Sequence, residues 1–267
     1  MTVIRTPQPV PAYVPAHGLL AGRRVVITAA AGAGIGSATA RRCLEEGAEL
    51  VVLGDTHAAR LESTVAELRD TFGAARVQSA VCDVTVEEQV AALFDVAEAS
   101  GGFDVLINNA GLGGTASVLE MTDEQWLLVL NVTLTGTFRC VRAAGRRWVE
   151  SGTKGVIVNN ASVIGWRAQE GQAHYAAAKA GVMALTRSAA IDLAPHGIRV
   201  NAVSPSLAMH PFLAKVTTEE ALAELTSREA FGRAAEPWEV SNVMVFLASD
   251  YSSYMTGEVV SVSSQHP

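Results

Sequence analysis

Cysteine is scarce in this chain. Cys43, Cys82 and Cys140 are three in number, far apart, and lack the close spacing of metal ligands. Such a set excludes a disulfide framework and a cysteine-built metal centre, and fits a reducing compartment. Basic charge is in deficit: 20 Lys and Arg face 27 Asp and Glu, a net charge of −7, which argues against nucleic acid as a partner. No stretch of about 18 uncharged apolar residues occurs, so no membrane span is expected. The first twenty residues lack the apolar core of a signal peptide and are interrupted by Pro7, Pro9, Pro11 and Pro15. The expectation is a cytoplasmic protein with an arm over residues 1–22, lying on the body or loose in solvent.

What is present is apolar: 49% of the 267 residues, enough for a substantial core. From Arg23 onward, short apolar runs alternate with helical patterns. Strands are expected at 24–28, 50–53, 77–81, 105–107, 156–158, 199–203 and 258–262. Helices are expected at about 37–46, 58–72, 87–99, 123–150 (broken near Asn131), up to 193, and 237–247. Residues 205–233 read as irregular, with one amphipathic piece at 218–225, and as a cover for the substrate. Seven strands alternating with helices predict one α/β domain over 23–267, a doubly wound Rossmann-type parallel sheet with helices on both faces.

Ligands of such sheets lie at the carboxyl ends of the strands. The unusual residues of this chain collect there. Gly32, Gly34, Ile35 and Gly36 follow the first strand and open a helix, a setting in which the backbone can approach a pyrophosphate. Asp55 ends the second strand, where a carboxylate accepts from both ribose hydroxyls of an adenosine and repels a 2′-phosphate. No basic residue lies among the glycines, so NAD is favoured over NADP, although His57 and Arg60 are close. Asp83 and Val84 follow the third strand and suit an adenine pocket. Asn109 and Ala110 follow the fourth, Ser162 the fifth, Pro205 and Ser206 the sixth.

Tyr175 and Lys179 stand four apart in an alanine-rich helix, one turn apart on one face. A phenol loses its proton only near pH ~10. A nearby ammonium favours the phenolate, and the Ser162 hydroxyl can hold the oxygen of a bound carbonyl or alcohol against it. The three make a proton-transfer site.

With Gly32, Gly34 and Gly36, then Asn108-Asn109-Ala110-Gly111, Asn131, Ser162, Tyr175 and Lys179 in this order, the chain closely resembles the short-chain dehydrogenase/reductase family from about Leu20 onward. The resemblance implies hydride transfer between a nicotinamide and a carbonyl or hydroxyl carbon. Tyr175 would then be the acid/base, with Ser162 orienting the substrate oxygen. Lys179 would lower the tyrosine pKa and bind the nicotinamide ribose. Asn131 would kink the long helix and hold a water linking Lys179 to solvent, and Asn109 would form a cofactor wall. A homotetramer is also implied. Three departures stand out: Thr28-Ala29 replaces Thr-Gly with one extra residue before Gly34, Ser206 replaces a glycine, and His210 replaces a threonine that contacts the nicotinamide amide.

For the substrate, Leu112, Val163, Trp166, Arg167 and residues 207–213, including Phe212, are pocket candidates. Trp166 and Phe212 suit a bulky apolar body. Arg167 suits a carboxylate or a coenzyme A phosphate, or else a surface ion pair with Glu170. The carboxyl-terminal pattern is similar to 3-oxoacyl-acyl-carrier-protein reductases, yet Glu150 and His196 stand where those enzymes carry arginines. Arg139, Arg142, Arg146 and Arg147 are candidates to compensate. The opening TAAAGAGIGSATARRC and the ending SVSSQHP resemble an actinobacterial subset of the family linked to steroid ring-fragment catabolism. The substrate implied there is a hydroxy or keto hexahydroindanone bearing a propanoate or its coenzyme A ester. A nicotinamide-binding sensor without turnover is the contrasting class.

Overall fold

The computed structural model describes residues 7–209 and 219–265. Seven strands form one sheet in the order β3-β2-β1-β4-β5-β6-β7, every neighbouring pair parallel. They are β1 Arg24–Thr28, β2 Leu50–Asp55, β3 Val77–Val81, β4 Val105–Asn108, β5 Val156–Asn160, β6 Arg199–Pro205 and β7 Val259–Val262. This is the expected doubly wound sheet. Several strands run one or two residues further than their apolar stretches, because Asn108, Asn159, Asn160, Ser204 and Pro205 continue the ladders at the site end.

Alternation along the strands splits the core in two. Val25, Ile27, Val51, Leu53, Val105 and Ile107 point to one face; Val26, Val52, Leu106, Ile157 and Val200 point to the other. The first face is covered by α1 (Ile35–Glu45), α2 (Ala58–Phe72) and, after the short α7 (Glu219–Ser227), by α8 (Pro237–Ala248). The second is covered by α3 (Glu87–Ala99), α5 (Gly136–Ser151) and α6 (Ala173–Leu193). Trp148 of α5 closes that layer: its indole donates to the Phe103 carbonyl at 2.8 Å, and a side chain at Gly155 would collide with its ring.

Helix α4 (Asp123–Leu130) runs into α5 through a π turn, Asn131–Thr135, so the break foreseen near Asn131 is one inserted residue of register. The run Asp123–Ser151 is long and apolar enough to cross a membrane by length and composition alone. Its residues Cys140, Ala144 and Trp148 are instead buried against the sheet.

The described part of the arm lies on the body. Tyr13 sets its ring edge-on to Trp238 at 5.1 Å and donates to Glu45. Arg42, buried in α1, donates to the Val14 and Pro15 carbonyls and to Glu46 at 2.6 Å. Glu46 in turn accepts from the His17 and Leu19 amides.

Candidate active site

The topology puts the turns after β1 and β4 side by side, at the point where strand order reverses. Thr28 joins them: its hydroxyl accepts from the amides of both Asn109 and Ala110 at 3.1 Å. Asn109 donates to the Ala29 carbonyl and accepts from Asn160, which ties β1, β4 and β5 together at their ends. Gly36 is fixed by crowding, since a Cβ there would lie 2.1 Å from the Ala29 oxygen.

The altered glycine turn finds its own conformation. Gly32 takes φ +87° and donates its amide to Thr64, so it supplies a left-handed position as expected. Ala29, in the place of the family's first glycine, is the one non-glycine residue among those described with positive φ, at 50°. An L-residue in that region costs about 1–2 kcal/mol, which glycine escapes at an entropic cost of about 0.4–1 kcal/mol. Ala29→Gly is therefore expected to raise the melting temperature by about 1–3 °C in a thermal scan.

A pyrophosphate fits this turn. The start of α1 at Gly34 has no side-chain cap and no acidic residue in its first turn, so its amides remain available to an anion. Beside Gly34 nothing lies within 4 Å of where a Cβ would stand. Asp55, 6% exposed, accepts from the Ala31 amide at 3.1 Å and the His57 amide at 2.9 Å. Arg60 lies 3.6 Å from the same carboxylate. Asp83 accepts from the Thr85 amide, and Val84 is buried against Gly136 of α5.

At the other end of the crevice, β5 delivers Ser162 and α6 delivers Tyr175 and Lys179. Lys179 is only 3% exposed; its ammonium donates to the Asn160 carbonyl at 2.5 Å and lies 5.6 Å from the centre of the Tyr175 ring. Burial pushes the Lys179 pKa down to about 8. Burial raises the Tyr175 pKa above that of an ordinary phenol, while a hydrogen bond with the Ser162 hydroxyl pulls it back. Desolvation is the larger of these two influences on the phenol. Glycines line the gap: a Cβ on Gly111 would lie 3.3 Å from the Lys179 ammonium, and one on Gly113 3.9 Å from the Tyr175 ring.

Asn131 opens the π turn that breaks the long helix, as expected. Its side-chain oxygen accepts from Arg139 at 2.9 Å, and its backbone carbonyl accepts from the Gly136 amide across the π turn. Thr133, in that same turn, accepts from the Leu112 amide at 3.0 Å and so fixes the loop above Lys179. Arg167 reaches Gln265 of the carboxyl-terminal tail; no ion pair with Glu170 forms. Trp166, which follows the short turn after Ser162, is exposed. Pro205 pairs with Val262, and the Ser206 amide donates to the Val262 carbonyl at a φ that is not positive, so a glycine is not required there. Phe212 and His210 lie outside the described residues. No pattern in the sequence marks Asn160, Thr133 or Gln265 as site residues, and Thr28 is visible only as part of its motif.

The profile of the family described as "Enoyl-(Acyl carrier protein) reductase" matches residues 29–264. The chain is 60% identical over 258 residues to the (5R,7aS)-5-hydroxy-7a-methyl-1-oxo-2,3,5,6,7,7a-hexahydro-1H-indene-carboxyl-CoA reductase of Mycobacterium tuberculosis, covering 96% of this chain and 98% of that protein. The chain belongs to the short-chain dehydrogenase/reductase family. It is an oxidoreductase of alcohols and ketones that uses a nicotinamide cofactor. It is also 41% identical to the cis-4-hydroxycyclohexanecarboxylate dehydrogenase of Sinomonas cyclohexanicum, covering 90% of this chain and 94% of that protein. Among solved structures, a short chain dehydrogenase from Mycobacterium smegmatis superposes with a TM-score of 0.86 at 56% identity, covering 97% of this chain and 99% of that one.

Proposed function

We propose that this enzyme interconverts a secondary alcohol and a ketone on a carbocyclic substrate carrying a carboxyl or carboxyl-CoA group, with NAD as cofactor. The observation that carries the reading is the Ser162–Tyr175 pair set over buried Lys179, at the same sheet edge as the uncapped α1 start. When bound, the nicotinamide supplies the hydride acceptor or donor. Tyr175 takes or returns the hydroxyl proton, and Ser162 holds the substrate oxygen against it. Lys179 holds the nicotinamide ribose and, ionising near pH 8, supplies positive charge beside the phenol. Asn131 keeps the π turn, and through it the Thr133–Leu112 contact, in place.

On the adenosine side, Gly32, Gly34, Ile35 and Gly36 hold the pyrophosphate. Asp55 receives the ribose, Asp83 and Val84 the adenine, and Asn109, Ala110, Pro205 and Ser206 wall the crevice. A buried carboxylate at the ribose favours NAD, and Arg60 is already drawn to it. The substrate reading is supported by two relatives named for ring alcohols bearing carboxyl groups. An acyl-carrier-protein substrate is disfavoured: Glu150 and His196 are exposed where arginines were sought, and Arg139, Arg142 and Arg147 are paired with Glu87 and Asp95. Exposed Leu127, Leu128 and Ile191 on α4 and α6 support self-association, which we read as a homotetramer, and we place the enzyme in the cytoplasm.

The test is turnover with NAD of a 5-hydroxy-hexahydroindanone carboxyl-CoA against a straight-chain 3-hydroxyacyl-CoA. The bicyclic substrate is expected to have kcat/KM at least about tenfold higher. Turnover of the straight chain with none of the bicyclic alcohol contradicts the reading.

A further inference from the structure

We infer that Gln265, held in place by Glu229, presents Arg167 as an anion anchor at the mouth of the crevice. This makes the carboxyl-terminal tail a determinant of specificity for the charged end of the substrate. The inference rests on the proposed reading of a carboxyl-bearing substrate and adds which residues recognise that group.

Arg167 follows Trp166 in the segment between Ser162 and Tyr175, and it is half-buried. Among the described residues its guanidinium makes one hydrogen bond, Nη1 to the side-chain oxygen of Gln265, and no carboxylate lies within 4.0 Å. Its Nε is buried without a partner. The other partly or fully buried arginines that lack a carboxylate, Arg69, Arg76 and Arg199, each donate to backbone carbonyls instead. Arg167 alone of these donates to no backbone carbonyl, and its Nη2, neither buried nor bonded, is left for an anion beside Nη1. Such a fork accepts a carboxylate or phosphate in two-point fashion.

The amide partner is held from behind. Glu229, 1% exposed, accepts from the Gln265 amide nitrogen at 2.7 Å and from the Ser264 hydroxyl at 2.7 Å. It also accepts from the Leu207 amide at 3.3 Å, in the segment that follows β6. Because Glu229 occupies the nitrogen end of the Gln265 amide, the oxygen end must face Arg167. Glutamine in this position orients the guanidinium without cancelling its charge, whereas a glutamate would neutralise it internally. Gln265 and Glu229 are therefore positioning residues, and Arg167 is the contact.

The experiment measures binding of cyclohexanecarboxylate and of cyclohexanecarboxamide to the NADH complex by calorimetry, in the wild type, Arg167→Gln and Gln265→Glu. These probes need no turnover, so the result stands apart from the identity of the physiological substrate. The wild type is expected to prefer the acid, and both variants to lose that preference by about tenfold or more. Gln265→Asn, which keeps a neutral amide, is expected to retain more of it than Gln265→Glu. Equal binding of acid and amide by the wild type overturns the inference. So does a preference that survives in Arg167→Gln. A loss in Arg167→Gln with full retention in Gln265→Glu overturns the role of the tail.

Discussion

Replacing Tyr175 by Phe is expected to lower kcat by about 10²–10⁴-fold, the usual share of a positioned acid/base, while NADH still binds. The substitution removes one oxygen from a half-buried ring and leaves the helix and its packing intact. Ser162 loses the partner that its hydroxyl bonds, yet it still accepts from the Ile164 amide, so the local turn keeps its cap. The pH profile of the residual rate is as informative as its size. With a phenol whose pKa burial holds high, the wild-type oxidation rate should climb with pH. In Tyr175→Phe that rise should flatten. A variant that keeps both the rate and its pH dependence would move proton transfer to another group.

Lys179→Met is expected to separate activity from stability. Burial lowers the folded-state pKa of Lys179 to about 8, against about 10.4 in an unfolded chain. Between these values the unfolded chain binds the extra proton, so stability rises with pH through the window from about 8 to 10.4. Below pH 8 the folded protein carries a buried ammonium at full cost. Methionine fills a similar volume without charge, though it leaves the Asn160 carbonyl without this donor. At pH 7 a net gain of about 1–2 kcal/mol is expected, or about 2–6 °C in melting temperature, shrinking above pH 9. Turnover should fall by at least about 10²-fold. A variant less stable than the wild type at pH 7, with a deficit that stays constant as pH rises from about 8 to about 10.4, would mean that the Asn160 hydrogen bond outweighs the desolvation.

Much of this was legible in the chain because its carriers are local. Alternating valines, isoleucines and leucines fix which strand residue faces which layer, and the four-residue spacing of Tyr175 and Lys179 fixes their shared helix face. Asp55 and the glycines declared themselves by standing at strand ends. What escaped depends on contacts remote in sequence or on a single backbone step. The π turn at Asn131–Thr135 has no side-chain period of its own, nor does any spacing announce the Asn131–Arg139 hydrogen bond. The shift of Tyr175 is set by burial, which no spacing reveals. Gln265 meets Arg167 across nearly the whole domain, and Ala29 adopts a positive φ that its residue type disfavours. The proline-rich start disclosed neither Tyr13 against Trp238 nor the docking of its carbonyls on Arg42.

The most direct test of the crevice as a nicotinamide site is a fluorescence titration of the purified protein with NADH and with NADPH. Asp55, buried and bonded to the Ala31 and His57 amides, predicts NADH binding at least about tenfold tighter, since a 2′-phosphate would face a carboxylate. Tighter binding of NADPH would contradict the account and assign the 2′-phosphate to Arg60, now 3.6 Å from Asp55.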